Sequence, residues 1–294
     1  MELSATLPPT ALQQGLHHLQ QAELLYETRL VPTPAYAFKH ILTQEVAYQS
    51  LLESTRQPYH QQIAQLLTAH FAETVALHPE HLAHHYTEAG LFAQALPYWQ
   101  RAGEEAVARS ANVEAISHFT QGLEVVRRLP ETPQRNRDEL RLQLALSTPL
   151  YMKKQAQAVG DIYQRVLELS QELGDNVQYF AGLAGLWRFF FNTGQLQKAR
   201  QMGQQCLTLA RHAEAPVLLL EAHMMLGSTC LGFGELLTAR SHFQHSAPLY
   251  AARPVQARAV RQVVDPGVVC LCREAWTLWL LGYADQALAA GRQD

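Results

Sequence analysis

Apolar residues recur three and four positions apart along most of the chain, and Ala, Leu, Gln and Glu fill many of the positions between them. Both features favour α-helix. The pattern predicts helices over residues 11–25, 41–52, 55–71, 79–89, 91–109, 112–128, 134–154, 157–173, 176–193, 195–212, 215–233, 235–250 and 268–281, with another beginning near residue 284. Five glycines follow predicted helices, where a left-handed residue closes the last turn: Gly90, Gly174, Gly194, Gly234 and Gly282.

One segment near the N-terminus departs from this pattern. Residues 24–28 and 35–39 have the composition of short strands, and the residues between them include Pro32 and Pro34. Two such runs joined by a turn predict a β-hairpin. Because a helix followed by a hairpin is the second half of a winged-helix module, residues 1–40 are interpreted as a partial winged helix. An irregular loop held by the two prolines is the alternative.

A repeated spacing connects the predicted helices. Alanine stands five positions after glycine in four places: Gly90 and Ala95, Gly194 and Ala199, Gly234 and Ala239, and Gly282 and Ala287. This pattern resembles the tetratricopeptide repeat (TPR), in which a small residue lets two antiparallel helices approach. The repeats exceed the 34-residue consensus, since 40 residues separate Gly194 from Gly234. The resemblance implies an all-α, TPR-like helical-hairpin solenoid that winds as a right-handed superhelix.

Composition restricts the class of protein. The chain has 294 residues, of which 48% are hydrophobic and 17% charged, and a formal net charge of -3. The apolar fraction allows a packed core, and the charge argues against a general nucleic-acid binder. No uninterrupted apolar run of ~18 residues predicts a membrane span. The four cysteines are too few for a disulfide framework, and all are predicted to be buried: Cys206, Cys230, Cys270 and Cys272. We therefore expect a cytoplasmic protein without a membrane partner.

A wider resemblance rests on residues 36–52, 82–90, 98–103 and 265–271 together with 279–283. These segments resemble the C-terminal region of bacterial signalling proteins that combine an optional class III adenylate or guanylate cyclase, a STAND-type ATPase with a winged helix, and TPR repeats. The resemblance implies a non-catalytic sensor or scaffold arm for ATPase or cyclase domains carried elsewhere. No Gly-x-x-x-x-Gly-Lys-Ser/Thr run for nucleotide binding occurs here.

The same resemblance implies a division of the chain into three parts. Residues 1–40 are expected to be the partial winged helix, and residues 41–130 a helical linker with the first TPR-like repeats. Residues 131–294 are expected to form a TPR-like solenoid whose last repeat is incomplete. The chain is accordingly interpreted as a fragment of a longer protein.

The repeat register predicts a binding surface. The first helices of TPR hairpins face a common groove, and the residues that face it in this register are Arg188, Phe191, Met224, Leu231, Trp276 and Trp279. Solenoids leave such grooves free for partners, so we expect a protein or peptide ligand, or the upstream ATPase or cyclase domains. Packing between repeats is the alternative for each residue. The apolar face of helix 268–281 further predicts self-association at the C-terminal edge.

Two other functions rest on local features. A STAND-type transcription regulator would use the partial winged helix, but Arg29 and Lys39 provide little positive charge for nucleic acid. A metal-dependent hydrolase would use the histidines at 78, 81, 84 and 85, since His81 and His85 lie one helical turn apart. A partly solvated helix face is the alternative, and we expect no metal or cofactor.

Two loop features complete the predictions. Asp265 and Pro266 have the residue types of a helix N-cap and first helical position, so they are predicted to begin the helix that follows. The preceding insertion carries Arg253, Arg258 and Arg261, which could contact an acidic surface or remain solvated.

Overall fold

The computed structural model describes residues 9–29, 35–252 and 265–291. The chain divides into two compact units, one of residues 1–102 with 124–129 and the other of residues 103–123 with 130–294. The predicted arginine-bearing insertion around residues 253–261 and the two prolines of the hairpin turn lie outside the described residues.

The first unit begins with α1 (Pro9–Gln21) and the strands β1 (Leu25–Arg29) and β2 (Ala35–Phe38). Four helices follow: α2 (Ile41–Gln49), α3 (Glu53–His70), α4 (Ala72–Leu77) and α5 (Pro79–Glu88). Helices α6 (Phe92–Ala108) and α7 (Asn112–Arg127) contribute residues to both units. The short helix α4 was not predicted, because its six residues are too few to show a periodic pattern.

The second unit continues with eight helices. They are α8 (Pro133–Met152), α9 (Ala156–Leu173), α10 (Asn176–Asn192), α11 (Leu196–His212), α12 (Pro216–Phe233), α13 (Leu236–Ala251), α14 (Pro266–Leu280) and α15 (Ala284–Ala290). From α8 to α15, each helix packs against the next described one. Helix α12 also packs against α14. The predicted all-α architecture of helical hairpins is therefore confirmed.

The predicted β-hairpin is present, and it is the only sheet among the described residues. Its strands are antiparallel, with Leu25 opposite Phe38 and Tyr26 opposite Ala37. The helix predicted over 11–25 is wrong at its C-terminal end, because α1 stops at Gln21. Glu23 takes a left-handed φ of 55°, which ends the helical path before β1 begins.

Several helices of the second unit end with the same backbone arrangement. After α10 and α12 a left-handed glycine, Gly194 or Gly234, is followed by an amide that bonds the carbonyl five residues back. This is the Schellman arrangement. Lys154 takes the same place after α8 with φ 57°, and the amide of Gln155 bonds the carbonyl of Leu150 at 3.1 Å. Helix α8 therefore ends in the same way as α10 and α12, although no glycine marks its end in the sequence.

Aromatic rings pack directly against glycines of neighbouring helices. Phe243 of α13 is fully buried, and a Cβ added to Gly227 of α12 would lie 2.5 Å from its Cε1 atom. Phe119 stands in the same relation to Gly103, 16 residues earlier. Since the ring occupies the space of a missing side chain, these helices approach more closely than larger residues would allow.

Small residues at the predicted repeat positions are buried as well. Ala199 and Ala239 are both fully buried, each within a hydrophobic cluster that joins several helices of the second unit. Three of the four cysteines are buried, but Cys272 is exposed, so that prediction was wrong. Cys272 is two residues from the buried Cys270, and two residues advance a helix by ~200°, which turns its side chain outward.

Two further expectations concern individual helices. Asp265 caps α14 as predicted, since its carboxylate accepts a hydrogen bond of 2.7 Å from the amide of Gly267. By length and composition α12 could span a membrane, and half of it is buried within the protein. The criterion of an uninterrupted apolar run missed this helix because Glu221 and His223 interrupt it.

We expect Gly227→Ala to destabilise the second unit. Alanine is favoured over glycine in a helix by up to about 1 kcal/mol, but forcing a methyl group against the Phe243 ring costs about 1–3 kcal/mol. Gly15 of α1 has open space around it, so Gly15→Ala is the matched control. Urea denaturation should show a lower midpoint for Gly227→Ala only, and Phe243→Leu should restore part of the loss. Equal midpoints for both alanine variants would contradict the packing role.

Candidate functional site

Alternate helices of the second unit form a continuous surface. Helix α10 packs against α12, and α12 packs against α14, in addition to their contacts with the helices between them. We call the surface formed by α8, α10, α12 and α14 the first-helix face. Positions three, four and seven apart on a helix share one side, so each of these helices presents a row of side chains to this face.

A pocket of about 440 Å³ lies in the first-helix face, and we call it the central pocket. Its lining includes Trp187, Arg188, Phe191, Glu221, Met224 and Arg273, which come from α10, α12 and α14. The rings of Trp187 and Phe191 stack with their centroids 5.2 Å apart. Trp187 is fixed further by a hydrogen bond of 3.0 Å from its Nε1 to the Thr229 hydroxyl.

The charged side chains of the central pocket are only partly compensated. The guanidinium of Arg273 lies over the Phe191 ring, with its Cζ 5.1 Å from the centroid, and burial lowers the pKa of Arg273. Burial raises the pKa of Glu221, although Arg188 opposes that shift. Within the described ranges, no carboxylate lies within 4 Å of the guanidinium of either arginine. The pocket therefore combines aromatic walls with two cations, neither of which forms an ion pair with a described carboxylate.

A second, smaller pocket adjoins the central one. This side pocket has a volume of about 120 Å³ and is lined mainly by apolar groups that include Met152, Val159, Tyr163 and Phe189. The hydroxyl of Tyr163 is held by a hydrogen bond of 3.1 Å to Ser147. Both pockets share Tyr151 and Arg188 as well as Tyr163. One ligand can therefore reach both.

The structure brings half of the predicted groove residues together. Arg188, Phe191 and Met224 all line the central pocket. Leu231 packs against the core cluster around Cys230 and Phe243. Trp276 and Trp279 lie on α14 with 68% and 67% of their surface exposed.

Two charged residues of the central pocket were not among the predicted ones. Arg273 stands three residues before Trp276 on the same helix, and Glu221 stands three residues before Met224. Extending each predicted row by one turn would have found them. The prediction rested mainly on large apolar residues, so it did not include these two charged residues of the same rows.

One of the histidines predicted near residue 80, His85, belongs to a hydrogen-bonded network of the first unit. Tyr48 donates its hydroxyl hydrogen to Glu88 at 2.9 Å and contacts Nε2 of His60 at 3.0 Å. Nδ1 of His60 lies 2.8 Å from Nδ1 of His85. Because the tyrosine oxygen must then accept from Nε2–H, Nδ1 of a neutral His60 accepts a hydrogen bond from Nδ1–H of His85. Burial lowers the pKa of both rings, which favours their neutral forms.

The other histidines of that segment are arranged differently. His78 stacks on His81 with centroids 5.3 Å apart and contacts Glu80 at 3.1 Å. Among the residues that the structure describes, no group of three or more His, Cys, Asp or Glu side chains is placed to hold a metal ion. A second histidine contact joins α12 and α13, where Nδ1 of His223 lies 3.1 Å from Nδ1 of His242.

Comparison with known proteins gives relatives of low identity. No family model matches the chain. An uncharacterised protein of Rhizobium meliloti (strain 1021) is 24% identical over 297 residues, which cover 98% of this chain and 28% of that protein. The chain thus spans about 28% of the length of the curated relative that it matches.

Solved structures of helical repeat proteins are similar in fold. The TPR-like repeats of a Podosopora anserina kinesin light chain match with a TM-score of 0.53 and 15% identity, over 67% of this chain and 92% of that one. The Rap protein complexed with competence and sporulation factor matches with a TM-score of 0.53 and 12% identity, over 96% of this chain and 68% of that one. The apo quorum sensor NprR of B. thuringiensis matches with a TM-score of 0.54 and 12% identity, over 97% of this chain and 77% of that one. The fold is therefore TPR-like.

We expect acidification from pH 7 to pH 5 to destabilise the protein through its histidine networks. Burial lowers the pKa of His85 to about 4, and that of His223 to about 4, from the ordinary value of 6.5. The unfolded chain therefore takes up protons below about pH 6.5 while these folded histidines stay neutral. Stability that is present above pH 6.5 is lost as the pH falls toward 4.

The measurement is the urea midpoint at pH 7, 6 and 5. His223→Gln should reduce the dependence on pH, because it removes one of the groups responsible. His70→Gln is the control, since His70 is exposed at the end of α3. If His223→Gln kept the full dependence and His85→Gln did too, the networks would not be its source.

Proposed function

We propose that this chain is a non-catalytic protein-interaction module whose first-helix face binds a peptide segment. The observation that carries the proposal is the central pocket, where stacked Trp187 and Phe191 stand beside Arg188 and Arg273, two cations that form no ion pair with a described residue. Aromatic and arginine side chains dominate the energy of many protein interfaces. The proposal is also supported by fold, since the similar Rap protein is solved with competence and sporulation factor bound.

We further propose that binding at this face regulates an ATPase or cyclase, as in the STAND-type proteins that the sequence resembles. This finer role rests on that resemblance and on the greater length of the Rhizobium meliloti relative. A role in a STAND-type transcription regulator is the alternative. The hairpin of β1 and β2 after α1 is the local feature that favours it.

Selection from a displayed library of random 12-residue peptides tests the binding function. The immobilised chain should enrich a common peptide motif, and the double variant Phe191→Ala with Met224→Ala should lose that enrichment. Arg137→Ala, at an exposed position of α8, is the matched control and should keep it. Absence of any enriched motif would contradict peptide binding, and equal enrichment by the double variant would place the binding elsewhere.

The regulatory role is tested on the Rhizobium meliloti relative. Deleting its segment that matches this chain should change the rate at which the purified protein turns over ATP by severalfold. An unchanged rate, or no turnover of ATP with or without the segment, would contradict a regulatory arm of a STAND-type ATPase or cyclase.

We also propose that the exposed apolar side chains of α14 join two copies of the chain. Trp276, Trp279 and Leu280 are each at least 60% exposed and lie within one and a half turns of the helix. Exposed contiguous apolar surface is typical of interaction sites. Sedimentation should show a concentration-dependent dimer that Trp276→Ser with Trp279→Ser abolishes, whereas Val177→Ser, at another exposed apolar position, should not. A clean monomer of the unsubstituted chain at high micromolar concentration would contradict this proposal.

A further inference from the structure

The guanidinium of Arg273 is the cation of the central pocket that lies against its aromatic wall. It is half-buried against the Phe191 ring, and within the described residues no carboxylate lies within 4 Å of it. A guanidinium carries five N–H donors. Removing such a group from water is costly unless an anion or several acceptors replace the lost hydration. The ring supplies a cation–π contact, but it leaves the donors in the guanidinium plane unused.

The charge of the surrounding surface selects an anion. Arg188 lies on the rim common to both pockets and is exposed. Among the described residues, Glu221 is the only acidic one that lines the central pocket, and burial raises its pKa, which favours the uncharged form. The pocket thus offers two cations and at most one anion. A carboxylate suits this site, because the planar guanidinium can bind both of its oxygens at once.

The side pocket adds a requirement for an apolar group. Its volume of about 120 Å³ is slightly less than that of an engineered apolar cavity of about 150 Å³ that binds benzene. One side chain of the size of Leu or Phe fits such a space. Met152, Val159 and Phe189 provide apolar contact, while Asn192 on the shared rim has an amide that can bond a peptide backbone.

We propose that the first-helix face recognises a peptide by a carboxylate bound to Arg273 and Arg188 and an adjacent Leu- or Phe-sized side chain inserted in the side pocket. This inference rests on the proposed function and specifies its ligand. The carboxylate has two chemical sources, the C-terminus of the peptide or the side chain of an acidic residue. Both present the same pair of oxygens to a guanidinium, so the test must separate them.

Four acetylated peptides built on Ser-Gly-Ser-Gly serve as probes in isothermal titration calorimetry. The first ends in Phe with a free carboxylate, and the second ends in Phe amide. The third ends in Phe-Asp amide, and the fourth ends in Ala with a free carboxylate. We expect the Phe amide and the Ala peptide each to bind at least tenfold more weakly than the best of the four. A free-acid Phe peptide as the best ligand indicates a C-terminal carboxylate, and the Phe-Asp amide indicates an acidic side chain.

Variants of the chain assign each preference to its pocket. Arg273→Gln should abolish the preference for acid over amide, whereas Arg273→Lys, which keeps the charge, should retain part of it. Ala156→Trp, at an exposed position that lines the side pocket, should abolish the preference for Phe over Ala. Arg137→Gln is the control for general charge loss and should preserve both preferences.

The outcomes separate this inference from the proposed function. If library selection gives ligands that bind equally well as acids and amides, the carboxylate assignment is overturned while peptide binding stands. If Ala156→Trp leaves the preference for Phe intact, the side pocket is not the apolar site. If selection gives no ligand and no probe binds, the proposed function itself fails.

Discussion

The close contact between an aromatic ring and a glycine on the neighbouring helix is the constraint on which the second unit depends. Phe243 fills the space beside Gly227, and Phe119 fills the space beside Gly103. Neither ring has room to move away, since both side chains are almost fully buried. The ring must lie beside a residue without a side chain, so each contact fixes both the separation of its two helices and their alignment along the axis. Dense packing of this kind transmits position from one hairpin to the next.

The first-helix face depends on further contacts of this kind, since the Tyr163 ring lies against Gly185 of α10 and the Tyr250 ring against Gly267 of α14. Once α10, α12 and α14 lie side by side, residues spaced by one helical turn converge on the central pocket. Trp187 is oriented by its hydrogen bond to Thr229 of α12, and Phe191 stacks on it. Arg273 of α14 then covers Phe191. The side chains that line the central pocket are thus positioned by contacts between rigid helices rather than by loops, which favours a preformed site.

The sequence predicts the helices and their repeat well, because both depend on local chemistry. Glycines end helices at Gly194 and Gly234 as expected. Lys154 fills the same role with a left-handed backbone that lysine rarely adopts, so spacing of glycines could not reveal that repeat. The end of α1 was missed for the same reason, since Glu23 carries no turn signature. Backbone hydrogen bonds at the helix ends, from Leu24 to Leu19 and from Gln155 to Leu150, accompany a conformation that the residues' own preferences oppose.

The candidate site was predicted less completely, because membership of a pocket depends on neighbours that are distant in sequence. Helical spacing was sufficient to place Arg188, Phe191 and Met224 on one face. It could not show that Leu231 packs against the core formed with α13 and α14, or that Met224 both contacts that core and lines the pocket. The involvement of Arg273 depends on its contact with Phe191, a residue 82 positions away in the chain.

The polar groups of Arg273 and of the two histidine networks are all partly removed from water, but their interactions within the protein differ. His60 bonds to both Tyr48 and His85, and burial lowers the pKa of both histidines, so their neutral forms are favoured. Arginine cannot respond in this way, because it stays protonated at any pH at which the protein folds. Its charge must be balanced by another group, and the described residues offer the guanidinium only an aromatic ring. The stability needed to hold it there comes from the close-packed helices beneath it, and the charge remains available to a ligand.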